Sequence, residues 1–569
     1  MTAILHHFVC PPLIVCFLAA TFPFSAAAAP QREQARSMVV TQYGLVATSQ
    51  AVASQAGAAI LARGGNAVDA IIAANAALGV VEPMMNGMGG DLFAIVYDAK
   101  TKKLYGLNSS GWSPKLDTAD RLRAMGLNAV PTSGVESVTV PGAVAGWEAL
   151  HGRWGKLTLA QDLAPAASLA EKGIAVPETN AENWAHDGAN FAGNPAFAHV
   201  YWPDGKPPAM GQIFRNPELA ASLRLVGEKG RDGFYKGRIA ESILKLSNEL
   251  HGTMQADDLA DFQPEWVDPI STTYHGWTVY EIPPNGQGIA ALSMLNIMEK
   301  FPLADWGHNT VKTLHVDIEA KKLAYADLQH YIGDPRAGNI PVAQLLSKDL
   351  AAKRAALIGD TASCNVLPSD LTQQLARLSS DTTYLTAVDH EGNQVSLIQS
   401  NSSDFGSGLV AENTGFVLQN RAANFTLEPG HPNMLRPRMR PIHTIIPGFM
   451  QKGDQRISFG IMSGWNQAQA HAQFVSNIVD FHMNVQAALE AARFTKLTFA
   501  GCDLTMENGV PPDVIAALRQ KGHDIKVELR YSQTMGRGNA ILHNDTTGVN
   551  FGGTDPRTDG EAVPEMPPF

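Results

Sequence analysis

Two Ala-rich stretches near the start of the patterned region return apolar residues at helical spacing. They span residues 50–63 and 66–80, the second carrying Val68, Ile71, Ile72 and Leu78, with Gly64-Gly65 between them. Two packed helices separated by a glycine stop are predicted. Asn86-Gly87-Met88-Gly89-Gly90-Asp91 then runs into Leu92-Phe93-Ala94-Ile95-Val96-Tyr97, a glycine turn entering a buried strand. These glycines fail the dinucleotide and P-loop patterns, because no third glycine falls in register and no Gly-Lys-Ser/Thr follows. Residues 157–350 read as mostly helical, broken by Pro- and Gly-rich loops at 202–211 and 282–288. The pattern changes near Ser379, where residues 382–388 and 394–399 are rich in β-formers around the turn residues 389–393, which predicts a hairpin. More strands are expected at 415–418, 442–450 and 456–461, then helices at 471–481 and 485–494, with Phe474, Ile478 and Phe481 on a buried face of the first. The order predicts an α+β architecture of stacked sheets between helices.

Composition fits a large packed core: 45% of the 569 residues are hydrophobic and 17% charged, unlike a disordered, collagen-like or disulfide-knot chain. A net charge of −11 argues against nucleic acid as a partner. The apolar run 8–24, closed by Ser25-Ala26-Ala27-Ala28-Ala29-Pro30, reads as a signal peptide over residues 1–29 and places the protein in the periplasm or outside the cell. Its first residues offer His6 and His7 but no Lys or Arg, so an uncleaved anchor is the alternative. No later stretch is long and apolar enough to span a bilayer. Cys10 and Cys16 lie inside the leader, which leaves Cys364 and Cys502. These are expected as two unpaired buried thiols, although an oxidising compartment permits a bridge.

A hydrolase needs a nucleophile, a base and oxyanion donors, and several usual sources are missing. There is no Gly-x-Ser-x-Gly elbow, His-Glu-x-x-His or Cys-x-x-Cys, and the histidines lack metal-ligand spacing, so no metal or organic cofactor is implied. The remaining route is a nucleophile made by cutting the chain, whereby a Ser, Thr or Cys becomes a new N-terminus. Its α-amine, with an ordinary pKa of about 7.7 to 8.0, then serves as the base near neutral pH.

Asp381-Thr382-Thr383-Tyr384-Leu385-Thr386-Ala387-Val388-Asp389, with Gly392-Asn393, resembles the processing site of the γ-glutamyltransferase family, also called γ-glutamyltranspeptidases or glutathione hydrolases. These are N-terminal nucleophile hydrolases. The resemblance covers nearly the whole chain after the leader: Val81-Glu82-Pro83, Val140-Pro141-Gly142-Ala143-Val144-Ala145-Gly146-Trp147, Phe405-Gly406-Ser407-Gly408 and Asp555-Pro556-Arg557-Thr558-Asp559-Gly560 match in order. It implies a four-layer αββα sandwich. It also implies that Thr382 attacks the carbonyl of Asp381, that an ester forms by an N-to-O acyl shift, and that hydrolysis leaves a large subunit, 30–381, and a small one, 382–569, within one fold. Ser400 stands where the family has a hydroxyl residue, usually Thr, bonded to the nucleophile. Ser463-Gly464 match the glycine pair whose N–H groups form the oxyanion hole, and Ser at the first position keeps that main-chain donor.

The substrate pocket departs from the family pattern. Ser110, Ser402, Arg421, Asn424, His443 and Thr444 stand at the aligned positions, where glutathione-cleaving members grip both the carboxylate and the amine of the glutamate head. A lost bond to a charged group costs about 1.5 to 3 kcal/mol. Arg421 in place of a hydrogen-bond acceptor should repel an α-ammonium and welcome a carboxylate, which favours an acyl group such as glutaryl. The segment 425–443 is shorter than the family's lid-bearing segment, and its alternating Arg436, Arg438 and Arg440 form either an attractor for an acidic leaving group or a solvated loop. The resemblance thus implies an autoprocessed amidohydrolase that cleaves γ-glutamyl amides through a Thr acyl-enzyme, with hydrolysis favoured over transpeptidation. The alternatives are a glutaryl- or cephalosporin-acylase-like amidase and, from another class, a non-catalytic binding protein that keeps the fold.

Overall fold

A computed structural model describes residues 34–369 and 381–567, so the proposed leader 1–29 lies outside the described residues. The two Ala-rich stretches form helices Ala51–Ala62 and Ala67–Val81. Asn66 caps the second, its side chain accepting from the N–H groups of Val68 and Asp69 while Asp69 accepts back from the Asn66 N–H. Gly64, at φ +91°, ends the first in a conformation that disfavours any residue with a Cβ.

Two seven-stranded sheets form the centre. One runs, edge to edge, through Glu561–Pro564, Leu45–Thr48, Asp381–Val388, Gln394–Ser402, Asp91–Asp98, Lys103–Ser109 and Glu265–Val267. The other runs through Val39–Thr41, Asn550–Thr554, Gly538–Asn544, Gln455–Ile461, Gly448–Lys452, Trp277–Glu281 and Ile270–Tyr274. Helices Ala51–Ala62 and Ala67–Val81 cover the outer face of the first; Gly288–Met298 and Gln467–Val479 cover the second, with Val311–Tyr331 packed on Gly288–Met298. The inner faces meet directly: Gly460 lies so close to Tyr384 that a Cβ would sit 2.2 Å from its ring. Several polar groups at this seam are paired, as Thr386 Oγ with Ser458 Oγ at 2.6 Å and Tyr384 OH with Ser396 Oγ at 2.9 Å. The result is a four-layer αββα sandwich, the expected fold class. Strands from both sides of position 381 interleave in each sheet, so a cut there leaves two chains folded into one body.

Several expectations are corrected. Strands Glu265–Val267, Ile270–Tyr274 and Trp277–Glu281 lie in the region read as mostly helical; they complete the far edges of the two sheets. The strand expected at 415–418 is a single bridge between Val410 and Val417. The strand expected at 442–450 is confined to Gly448–Lys452, because His443 exchanges backbone hydrogen bonds with Asn285 and Gln287 and not with a ladder. Cys364 and Cys502 form a disulfide, with Cα atoms 4.7 Å apart, against the expectation of two free thiols. Cys502 immediately precedes Asp503–Glu507, a strand of a small three-stranded sheet. The segment before Cys364 is held to helix Val311–Tyr331, Lys322 Nζ donating to the Ser363 carbonyl at 3.1 Å. Both approaches depend on contacts far apart in sequence. Among the described residues no helix is long and apolar enough to cross a membrane.

Behind the first sheet, the Asp162 side chain is fully buried beside Asp69, and neither of its oxygens finds a hydrogen-bond donor among the described residues. Burial first, and the Asp69 charge second, push its carboxyl up to about 8. A raised carboxyl means that the native state holds a proton the unfolded chain releases near pH 4, so this contribution to stability is present in full below that pH and is lost as pH rises through about 8. Asp162→Asn, which keeps a donor towards Asp69, is therefore expected to raise Tm by roughly 2 °C or more at pH 8 and little at pH 4. Thermal melts at the two pH values check this; an equal change at both would refute it.

Candidate active site

The hairpin strands Asp381–Val388 and Gln394–Ser402 pair antiparallel, but the ladder skips one residue: Asp381 faces Ser402, Thr383 faces Gln399, and Thr382 falls at the register shift between them. The extra residue lies in the partner strand, where Ser400 and Asn401 together stand opposite Thr382, and such a bulge breaks the alternation locally and re-aims the side chains beside it. Thr382 is fully buried, its Oγ–H donating to Ser400 Oγ at 3.3 Å. Ser400 Oγ also accepts from the Ser402 N–H at 2.8 Å, which fixes its position. The glycine turn before Asp91 serves this packing, since a Cβ on Gly90 would lie 2.5 Å from the Ser400 carbonyl oxygen.

The strand Gln455–Ile461 ends in a turn at Ser463-Gly464 that starts the helix Gln467–Val479. Ser463 and Gly464 both have left-handed backbones, φ +97° and +50°, and neither N–H makes a hydrogen bond among the described residues. Successive N–H groups in such a turn point into one concavity and favour an anion. Gln287 steadies the turn by donating its Nε2 hydrogens to the Gly464 carbonyl at 2.8 Å and the Thr444 carbonyl at 2.5 Å. Gln467 reaches back from the first helical turn, with Nε2 donating to Thr382 Oγ at 3.1 Å.

Arg421 opens a short helix, Arg421–Asn424, and is fully buried. Its Nη1 donates to Thr444 Oγ at 2.8 Å and its Nε lies 3.8 Å from Asp91 Oδ2. Nε and Nη2 have no hydrogen-bond partner among the described residues. Burial brings the guanidinium down to about 10 although the Asp91 charge opposes this, so it stays cationic at neutral pH. Asp91, opposite Ser400 in the neighbouring strand, accepts from the Gly111 N–H at 2.8 Å and from His443 Nε2 at 3.0 Å. The Ile445 N–H donates to His443 Nδ1, which leaves the ring proton on Nε2. Burial, then the Arg421 charge, bring this imidazole down to about 4, so it is a neutral donor. The charge of Arg421 is thus balanced by Asp91.

The other predicted pocket residues lie around this network. The fully buried Ser110 accepts from Asn285 Nδ2 at 3.3 Å, and Ser402 carries its N–H to Ser400. Asn424 lines a cavity of about 160 Å³ together with Thr132, Ile442 and Trp465. His443 has both ring nitrogens engaged within the protein, which makes it a support for Asp91. Arg438 pairs with Asp257, Asp258 and Asp261, and Arg440 with Glu265, so these two hold their loop to the 257–265 segment and are not free to attract a ligand. Asp91, Gln287 and Gln467 were missed by the sequence reading; an Asp after a glycine turn and a Gln at a helix start carry no signal of what they meet across the fold.

The gamma-glutamyltranspeptidase family model matches residues 53–565. Over 524 residues the chain is 36% identical to the glutathione hydrolase-like YwrD proenzyme of Bacillus subtilis (strain 168), covering 91% of this chain and 98% of the relative. It is 33% identical over 536 residues to the oxamate amidohydrolase proenzyme of Klebsiella pneumoniae, covering 92% and 99%. The crystal structure of cephalosporin acylase from Bacillus halodurans matches with a TM-score of 0.88 at 41% identity, covering 96% of this chain and 99% of that one. Sequence, fold and these relatives agree: the chain belongs to the gamma-glutamyltranspeptidase family and is an amidohydrolase of the N-terminal nucleophile type.

Proposed function

We propose that the protein is an autoprocessed hydrolase that cleaves amides whose acyl group carries a carboxylate, through an acyl-enzyme on Thr382. The observation that carries this reading is the pairing of Thr382, held opposite the bulge between Ser400 and Gln467, with the buried Arg421 and its two unpartnered donors. A guanidinium fork matches a carboxylate with two parallel bonds. Processing frees the Thr382 α-amine, which takes the Oγ proton as Oγ attacks the substrate carbonyl and returns it to the departing amine. The N–H groups of Ser463 and Gly464 receive the oxyanion. Water then attacks the ester and releases the acid; the relatives named as hydrolases support water as the acceptor. No step calls for a metal or organic cofactor.

Arg421, the absence of an acid at Asn424, and the relative named for oxamate, whose acyl group has a carboxylate and no α-amine, favour glutaryl-type over γ-glutamyl amides. The test is anilide release by the processed protein on glutaryl- and γ-glutamyl-p-nitroanilide at matched concentrations. Preference for glutaryl supports the reading, while clear preference for γ-glutamyl places the protein with the glutathione hydrolases. Periplasmic or secreted localisation, proposed from the leader, is supported by the disulfide, since such bonds persist in oxidising compartments.

Cys364 and Cys502 fall on opposite sides of the proposed cut between Asp381 and Thr382. The two subunits should therefore stay covalently joined, migrating as one species of full mature mass without reductant and as two with it. Two bands in the non-reducing lane would refute the link.

A further inference from the structure

The Gln467 side chain is fully buried and spans two partners that face it from different elements. Its Oε1 accepts from the Ile446 N–H at 3.1 Å, and its Nε2 donates to Thr382 Oγ at 3.1 Å. A backbone N–H can only donate, so the Ile446 contact fixes which end of the amide is which and commits the Nε2 hydrogen to the Thr382 oxygen. The Thr382 proton then lies on the other side, towards Ser400 Oγ. Thr382 Oγ thus accepts from a neutral donor that cannot take up a proton.

We propose that Gln467 is a catalytic donor that stabilises Thr382 Oγ as a leaving group. The proposal rests on Thr382 being the nucleophile. In deacylation a water oxygen bonds to the acyl carbon, and the water proton passes to the Thr382 α-amine. The carbon–Oγ bond then breaks, its electron pair goes to Oγ, and the α-ammonium returns the proton there. The negative charge that grows on Oγ strengthens a donated hydrogen bond, which is about twice as strong to an ion as to a neutral atom. The same departure of Oγ ends autoprocessing, when water splits the ester between Asp381 and Thr382. Acylation makes less use of the contact, because Oγ there is passing from a hydroxyl to an ester.

The test is stopped-flow anilide release by processed wild type, Thr382→Ala, Gln467→Met and Gln467→Glu, using whichever anilide the wild type turns over. Gln467→Met is expected to show a burst of one equivalent of nitroaniline and an acyl group on Thr382 by mass spectrometry. Its kcat should fall about tenfold or more with KM falling alongside, while kcat/KM changes less than about threefold. Gln467→Glu keeps the Ile446 contact and can donate only when protonated, so its kcat should recover towards acid pH. A variant that stays uncut is expected to hold the ester and to be split by hydroxylamine. Wild-type kinetics, kcat and kcat/KM falling together without a burst, or an uncut chain resistant to hydroxylamine would overturn the assignment to Gln467. A wild type inert on both anilides, or an active Thr382→Ala, sinks instead the nucleophile reading beneath it.

Discussion

Thr382→Ala should leave the precursor as one uncut chain and lower amide hydrolysis by at least about a thousandfold. The physical reason is that in the proposed mechanism one hydroxyl serves both reactions. Before the cut, the Thr382 nitrogen is part of a peptide bond and has no basicity to offer. Afterwards it is an amine bonded to the carbon next to the nucleophile's own, a proximity that no surrounding side chain reproduces. Ser400, whose hydroxyl lies 3.3 Å away, is already committed to the Ser402 N–H and to Thr382. Thr382→Ser, which keeps both the hydroxyl and the future amine, is expected to process and to retain much of the activity. Denaturing gels and anilide release on the three proteins decide the matter, and an Ala variant that is still cut, or still active, removes Thr382 from the mechanism.

Arg421→Gln should lower kcat/KM for the glutaryl anilide by about ten- to a hundredfold. It should lower it less for the γ-glutamyl anilide, so that the ratio between the two falls about tenfold or more. A buried guanidinium with two unbonded donors is costly to a fold, and a substrate carboxylate in a bidentate bond offsets that cost. The α-ammonium of a γ-glutamyl substrate gains where the glutaryl group loses, because a nearby cation is removed while Asp91 remains. An unchanged ratio would mean that Arg421 serves only Asp91 and Thr444, as a structural ion. Thermal melts of the variant separate a lost contact from a lost fold.

Much of the fold was legible. The hairpin that begins at Thr382, the two Ala-rich helices and the layered order follow from local signals: alternation, helical periodicity and glycine stops. The strands Ile270–Tyr274 and Trp277–Glu281 were not, for they are short, sit among helical patterns, and join the sheet because Trp277–Glu281 pairs with Gly448–Lys452, well over a hundred residues further on. The 442–450 run shows the converse, with β-formers at 442–447 that the ladder does not use because His443 exchanges backbone hydrogen bonds with Asn285 and Gln287 instead.

The site divides in the same way. The roles proposed for Thr382, Ser400 and the Ser463-Gly464 turn could be put forward from sequence because they belong to residue type and local backbone: a hydroxyl at the proposed cut, a second hydroxyl, two main-chain donors. The charge of the pocket was not readable, since Arg421 alone suggested a cationic site and only the fold set Asp91 against it, with a neutral His443 donating to the same carboxylate. Nor could sequence pair Cys364 with Cys502, 138 residues apart, or bring Gln467 to Thr382, 85 residues away. By itself the sequence determined the family and the layers and proposed the nucleophile, all of which rest on covalent neighbours and short-range periodicity. Only the tertiary structure decided the electrostatics and the hydrogen-bond partners, because both depend on distances between elements that local sequence does not encode.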